Sequence, residues 1–136
     1  MVEKMDSQIH EVRIEDVFTA YARYFDDACA LENIDRLGAY GSLSHIAARA
    51  GDAHYIEVLA LNGADINIAD ADGYAPLHDA VFYRHKKVTE TLLQHGADAA
   101  RLNMFGETAL DIAITAAKKR KDKKLKDIVS LLERAK

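Results

Sequence analysis

Residues 70–102, DADGYAPLHDAVFYRHKKVTETLLQHGADAARL, have a copy in register on either side. Displacing the chain by 33 residues places His45 on His78, Ala47 on Ala80, Leu59 on Leu92, and Gly63-Ala64-Asp65 on Gly96-Ala97-Asp98. The opposite displacement places Gly106 on Gly73, Leu110 on Leu77 and Ala113 on Ala80. A unit this short cannot bury its apolar face alone, so copies must stack and share one continuous core. The period therefore predicts a linear array of stacked units rather than a globule closed around a centre.

Within the units, Ala47-Ala48 and Ala80 mark where two helices approach closely, and Ile56, Val58, Leu59, Leu77, Val81 and Leu92-Leu93 are the expected core. Gly51 and Gly63 stand where each helix ends and a positive φ is needed. Pro76 sits in a first helical turn, where its missing N–H costs nothing. The period and the run Ala75-Pro76-Leu77-His78-Asp79-Ala80 resemble the ankyrin repeat, with its Thr-Pro-Leu-His signature, and the twice-repeated Gly-Ala-Asp supports the resemblance independently. The resemblance implies an all-α fold, an ankyrin-repeat solenoid of stacked antiparallel helix pairs with hairpin-like loops. It runs from about Leu37 to the C-terminus.

On this reading residues 1–136 form one domain: an N-terminal helical cap at 1–36, then repeats at 37–69, 70–102 and 103–136. The cap reads either as a degenerate helix pair or as one long helix between residues 14 and 37. Cys29 falls on its apolar stripe and is expected to pack in the core. The repeats depart from the family pattern in places. Ser42-Leu43-Ser44-His45 lacks the proline and carries serine for leucine, Ala75 replaces threonine, Arg84-His85 stands between helices, and Asp111 replaces histidine. Ala75 and Arg84-His85 should each cost ~1 kcal/mol or less. In the last repeat Ile128, Leu131 and Leu132 arrive about seven residues late. The inserted segment, Lys118 to about Lys126, either lengthens a helix or forms a basic loop, and the C-terminal repeat is expected to cap the stack.

Composition narrows the function. No apolar run approaches the ~20 residues of a membrane span, no secretory leader opens the sequence, and one cysteine cannot form an internal disulfide, which predicts a cytoplasmic location. Phosphate-binding glycine loops, HExxH, GxSxG and nucleophile–base pairings are missing, so no enzymatic activity and no cofactor are expected. His10, His54, His85 and His95 lack ligand-like spacing, and the resemblance assigns His45 and His78 to hydrogen bonds with neighbouring loops, so no metal is expected. It also gives Asn67 the role of a hairpin asparagine tucked against backbone.

Ankyrin-like proteins bind partners through hairpin tips and first-helix faces. Carried onto this sequence, those positions give Tyr40, Arg49, Asp72, Tyr74, Phe82, Tyr83, Met104, Phe105 and Glu107 as candidate partner-binding residues. Aromatic residues and methionine in such places are what interface cores show. The expected partner is another protein, bound by a monomer or within a hetero-complex rather than a homo-oligomer, in a scaffold, adaptor, inhibitor or immunity-type role. Charge adds a second possibility. Residues 1–117 carry 9 basic and 19 acidic side chains, a balance of −10, whereas residues 118–136 carry 9 and 3, a balance of +6. The acidic bulk would steer toward a basic partner surface. Alternatively Lys118, Lys119, Arg120 and Lys121, within the basic segment 118–126, would bind nucleic acid or another anionic surface.

Overall fold

The computed structural model describes Asp35 and residues 41–135. The expected N-terminal cap, apart from Asp35, lies outside the described residues, as does Tyr40. Among the described residues six helices follow one another: α1 Leu43–Ala50, α2 Ala53–Leu61, α3 Pro76–Phe82, α4 Lys86–Gln94, α5 Ala109–Lys119 and α6 Lys123–Ala135. They form three pairs, α1 with α2, α3 with α4 and α5 with α6. The first helices pack in the order α1, α3, α5 and the second helices in the order α2, α4, α6. Helices on helices in two such layers make an all-α solenoid.

Local chemistry sets each boundary. Ser42 opens α1 by accepting from the His45 N–H at 3.3 Å, and Thr108 opens α5 by accepting from the Asp111 N–H at 3.1 Å. Asp111 answers with its carboxylate on the Thr108 N–H, 3.0 Å, closing a reciprocal cap. The aspartate thus keeps the local half of the histidine's role. At the end of α1, Gly51 turns left-handed with φ 79° and the Asp52 N–H reaches back to the Ala47 carbonyl at 3.0 Å. Arg84 does the same after α3, with φ 62°, and the His85 N–H bonds to the Ala80 carbonyl at 2.8 Å. A bulky residue in that conformation costs on the order of 1 kcal/mol or more.

Apolar residues at helical spacing face one shared core. Leu43, Ile46 and Ala47 of α1, Val88 and Leu92 of α4, and Leu125, Ile128 and Leu132 of α6 are all buried. The core runs unbroken through all three pairs, from Leu43 through Leu77 and Val81 to Ile128. The basic segment 118–126 is helical at both ends. Lys118 and Lys119 close α5, residues 120–122 connect, and α6 begins at Lys123. The extra residues therefore lengthen the helices of the last pair: α5 has 11 residues where α3 has 7.

The connections between pairs also bond across the stack. Asn67 extends its side chain to the next loop, with its oxygen on the Asp98 N–H at 2.7 Å and its amide on the Gly96 carbonyl at 3.2 Å. Asp35 accepts from the Asp65 N–H at 2.8 Å, the same kind of bond one loop earlier.

Candidate partner-binding site

Two hairpin tips are built alike. Asp70 accepts from the Asp72 and Tyr74 N–H groups at 3.0 and 2.9 Å; 33 residues on, Asn103 accepts from Phe105 and Glu107, both at 2.9 Å. A short oxygen-bearing side chain that folds onto its own following N–H groups fixes such a turn. The tips touch through backbone, the Met104 N–H donating to the Asp72 carbonyl at 3.1 Å. Gly73 permits this approach. Its φ is 78°, and a Cβ there would lie 2.8 Å from the Met104 nitrogen.

Beneath the tips, two histidines tie each pair to the following hairpin. His45 Nδ1 accepts from the Ser42 N–H at 3.1 Å, which leaves Nε2–H to donate to the Tyr74 carbonyl at 2.6 Å. His78 Nδ1 accepts from the Ala75 N–H at 3.0 Å, and its Nε2–H reaches the Arg101 and Glu107 carbonyls at 3.0 and 3.2 Å. Loss of threonine at Ala75 therefore removes one hydroxyl while the backbone bond to the ring remains. Burial lowers the pKa of both rings, so each stays neutral in the tautomer this network needs.

Arg49 has an intramolecular role. It reaches from α1 to Asp79 of α3 at 3.2 Å and to Asp70 of the hairpin at 3.8 Å, joining the first two repeats. These ion pairs hold the partner-binding candidate Arg49 against its own chain, with 29% of its side chain still exposed. Asp79 is buried, and its Oδ2 pairs with the Arg49 Nε at 3.2 Å. Desolvation pushes its pKa from 3.8 up to about 7, against the pull of Arg49 and with the help of Asp70. The sequence alone gave no reason to single out Asp79. His45, Asp70 and Asp79 place one donor atom each within 4.8 Å of one another, a spacing that could hold a cation. Both ring nitrogens of His45 are committed, however, and Arg49 already supplies the positive charge. On the far side of Arg49, the His85 ring donates through Nε2 to its carbonyl at 2.9 Å. That ring sits where a Cβ on Gly51 would be, 2.9 Å away.

A groove of about 480 Å³ lies beside these contacts. Tyr74, Phe82, Tyr83, Glu107, Lys119 and Arg120, six of the residues expected from sequence, line it together. Ile112, Thr115 and Ala116 of α5 and Arg84 complete the lining. Phe82 and Tyr83 stay 62% and 48% exposed although they pack edge to face, centroids 5.1 Å apart. The Tyr74 ring is half-buried and stands perpendicular to His78. Arg49, Asp72, Met104, Phe105, Lys118 and Lys121 are not among the lining residues. Met104 and Phe105 instead crown the hairpin tip that Asn103 fixes, 63% and 68% exposed. The basic run is divided between two depressions. Lys119 and Arg120 join the groove, whereas Lys118 lies beside Ile114, Ala117, Lys126 and Val129 in a separate shallow depression.

The sequence profile of the family described as ankyrin repeats, in three copies, matches residues 43–133. The chain belongs to the ankyrin-repeat family. Over 99 residues, 73% of its length, it is 29% identical to protein phosphatase 1 regulatory subunit 12A of Mus musculus. It is 36% identical over 72 residues, 53% of its length, to an ankyrin and IPT/TIG repeat-containing protein of Schizosaccharomyces pombe. With SH3 and multiple ankyrin repeat domains protein 2 of Homo sapiens it shares 36% identity over 92 residues, 61% of its length. The matched region spans 10%, 6% and 5% of those proteins respectively. Ankyrin repeats generally mediate protein–protein contacts and are typically non-catalytic. No helix among the described residues is long and apolar enough to cross a membrane.

Proposed function

We propose that this ankyrin-repeat chain is a non-catalytic protein-binding module of the cytoplasm. It recognises its partner through the groove between α3 and α5 and through the hairpin tip that Asn103 fixes, as a scaffold, adaptor, inhibitor or immunity-type protein. The observation that carries the reading is the exposure of Phe82, Tyr83, Met104 and Phe105. Two exposed aromatic side chains lining a groove, with two more apolar side chains exposed at a hairpin tip, are what an interface core requires. The surroundings are held rigid by paired histidine bonds and stacked hairpins. A preordered surface loses less entropy on docking than a flexible one.

Affinity capture with quantitative mass spectrometry tests the proposal, comparing the wild-type chain with the Phe82→Ser, Phe105→Ser double variant. Both residues are exposed, so the variant keeps its core. Partners retained by wild type should be lost by the variant at unchanged circular dichroism. Identical capture by both proteins would defeat the reading.

A further inference from the structure

The α5 side of the groove is basic in a chain that is otherwise acidic. Arg84, Lys119 and Arg120 line it with one acid, Glu107; Asp122 pairs with Arg84, and Asp70, Asp72 and Asp79 act on Tyr74 at the hairpin side, in a molecule whose first 117 residues balance to −10. Each cation arrives by a local departure from the repeat. Lys119 ends the α5 helix, four residues longer than α3, and Arg120 follows directly. Arg84 occupies the left-handed position that glycine fills after α1 at Gly51. An arginine held in that conformation against its backbone preference, at the rim of a groove, marks a place where the side chain matters more than local ease. Its guanidinium is anchored by Asp122 at 3.2 Å through one nitrogen, which orients the group at the edge of the cavity.

The walls are apolar. Phe82 and Tyr83 offer ring faces and edges, and Ile112 and Ala116 belong to the floor. The volume, about 480 Å³, suits individual anchoring side chains, since pockets for small ligands occupy ~300–1,000 Å³. A lysine- or arginine-rich partner would bring like charge against Arg84, Lys119 and Arg120. A nucleic-acid backbone needs cations along a continuous track, whereas Lys118 and Lys126 line a different depression from Lys119 and Arg120. What remains is a chain segment that supplies negative charge at the rim and an apolar group to the wall.

We infer that the groove binds an acidic segment of the partner protein, with an aromatic or aliphatic side chain next to its carboxylates. The inference rests on the protein-binding reading above and names the chemistry of the bound segment. The carboxylates pair with Lys119 and Arg120 and with the free edge of Arg84, while the apolar neighbour stacks on Phe82 and Tyr83. Charged groups at a rim act chiefly on specificity. The sign of the groove therefore selects the segment even though the chain as a whole is acidic.

Random-peptide display on the full chain is the test. Wild type should enrich Asp or Glu adjacent to Phe, Tyr, Trp or Leu. The Lys119→Glu, Arg120→Glu variant, changed only at exposed positions, should lose that enrichment. A synthetic peptide carrying the winning sequence should bind this variant at least ~tenfold more weakly in fluorescence anisotropy. Its Asn/Gln counterpart should bind wild type comparably weakly. Arg84→Gly, which suits the backbone at that turn, should also weaken the peptide while leaving the circular dichroism spectrum intact. Enrichment without acidic bias, or acidic bias that survives the double charge reversal, overturns the inference. So does a mixed-sequence single-stranded oligonucleotide that competes with the peptide and is lost with Lys119→Glu, Arg120→Glu. Neutral apolar winners that disappear in the Phe82→Ser, Phe105→Ser variant would sink this inference alone. No winners, together with unchanged capture by that variant, would sink the protein-binding reading as well.

Discussion

Replacing Asp79 by asparagine should change how stability depends on pH, and the size of the change follows from the site. In the folded chain the carboxyl titrates at about 7 instead of 3.8, because burial disfavours its charged form more than Arg49 favours it. Between those two values the folded protein holds a proton that the unfolded chain has released. Asp79 therefore contributes stability that is fully present below about pH 4 and is lost as pH rises through 7. The interval from 3.8 to about 7, at ~1.36 kcal/mol per pH unit, is worth on the order of 4 kcal/mol. Asparagine keeps the shape and does not titrate, so that loss should vanish. His45 and His78 act in the opposite direction. Their pKa values are lowered by burial, so their contribution is present at neutral pH and is lost as pH falls below the unfolded histidine value. They occur in both proteins and cancel in the difference. Urea unfolding followed by circular dichroism, from about pH 5 to about pH 8.5, gives the two stability curves. The advantage of Asp79→Asn over wild type should grow by a few kcal/mol across that range. Parallel curves, or an advantage that shrinks as pH rises, would refute the burial argument for Asp79.

Two further outcomes follow from the packing. Gly73→Ala should destabilise the chain by ~3 kcal/mol in urea unfolding. It combines an unfavourable left-handed alanine with a Cβ driven to 2.8 Å from the Met104 nitrogen, which parts the two hairpins. Ser44→Ala should stabilise by ~1 kcal/mol in the same measurement, because the Ser44 hydroxyl is fully buried and has no hydrogen-bond partner among the described residues.

Much of the core could be read before the fold was known. Leu77, Ala80 and Val81 repeat at a fixed period, and they are buried because each copy must use the same positions to meet its neighbours. His45 and His78 were legible through the family resemblance, and each bonds to the hairpin that follows it. Asp79 and Arg49 were not. They are 30 positions apart, in different repeats, and neither departs from the composition of an ordinary solvated helix face. Only the packing of α1 on α3 brings their charges to 3.2 Å. Arg49 is thereby tied to the neighbouring repeat, while Tyr74, Phe82, Tyr83 and Glu107 converge on one groove.

Sequence alone determined the architecture of this protein. A repeat specifies the helix pair, its turns and its stacking contacts once, and the period then copies them along the chain. Tertiary structure decided where the charges of the last repeat point. Successive residues on a helix are turned by a large fraction of a circle from one another, so Lys118 and Lys119, adjacent in the chain, line different depressions. A run of basic letters carries no direction. The extra turn of α5 and the left-handed Arg84 give it one, and they set cations beside the exposed aromatic pair of α3 and its turn.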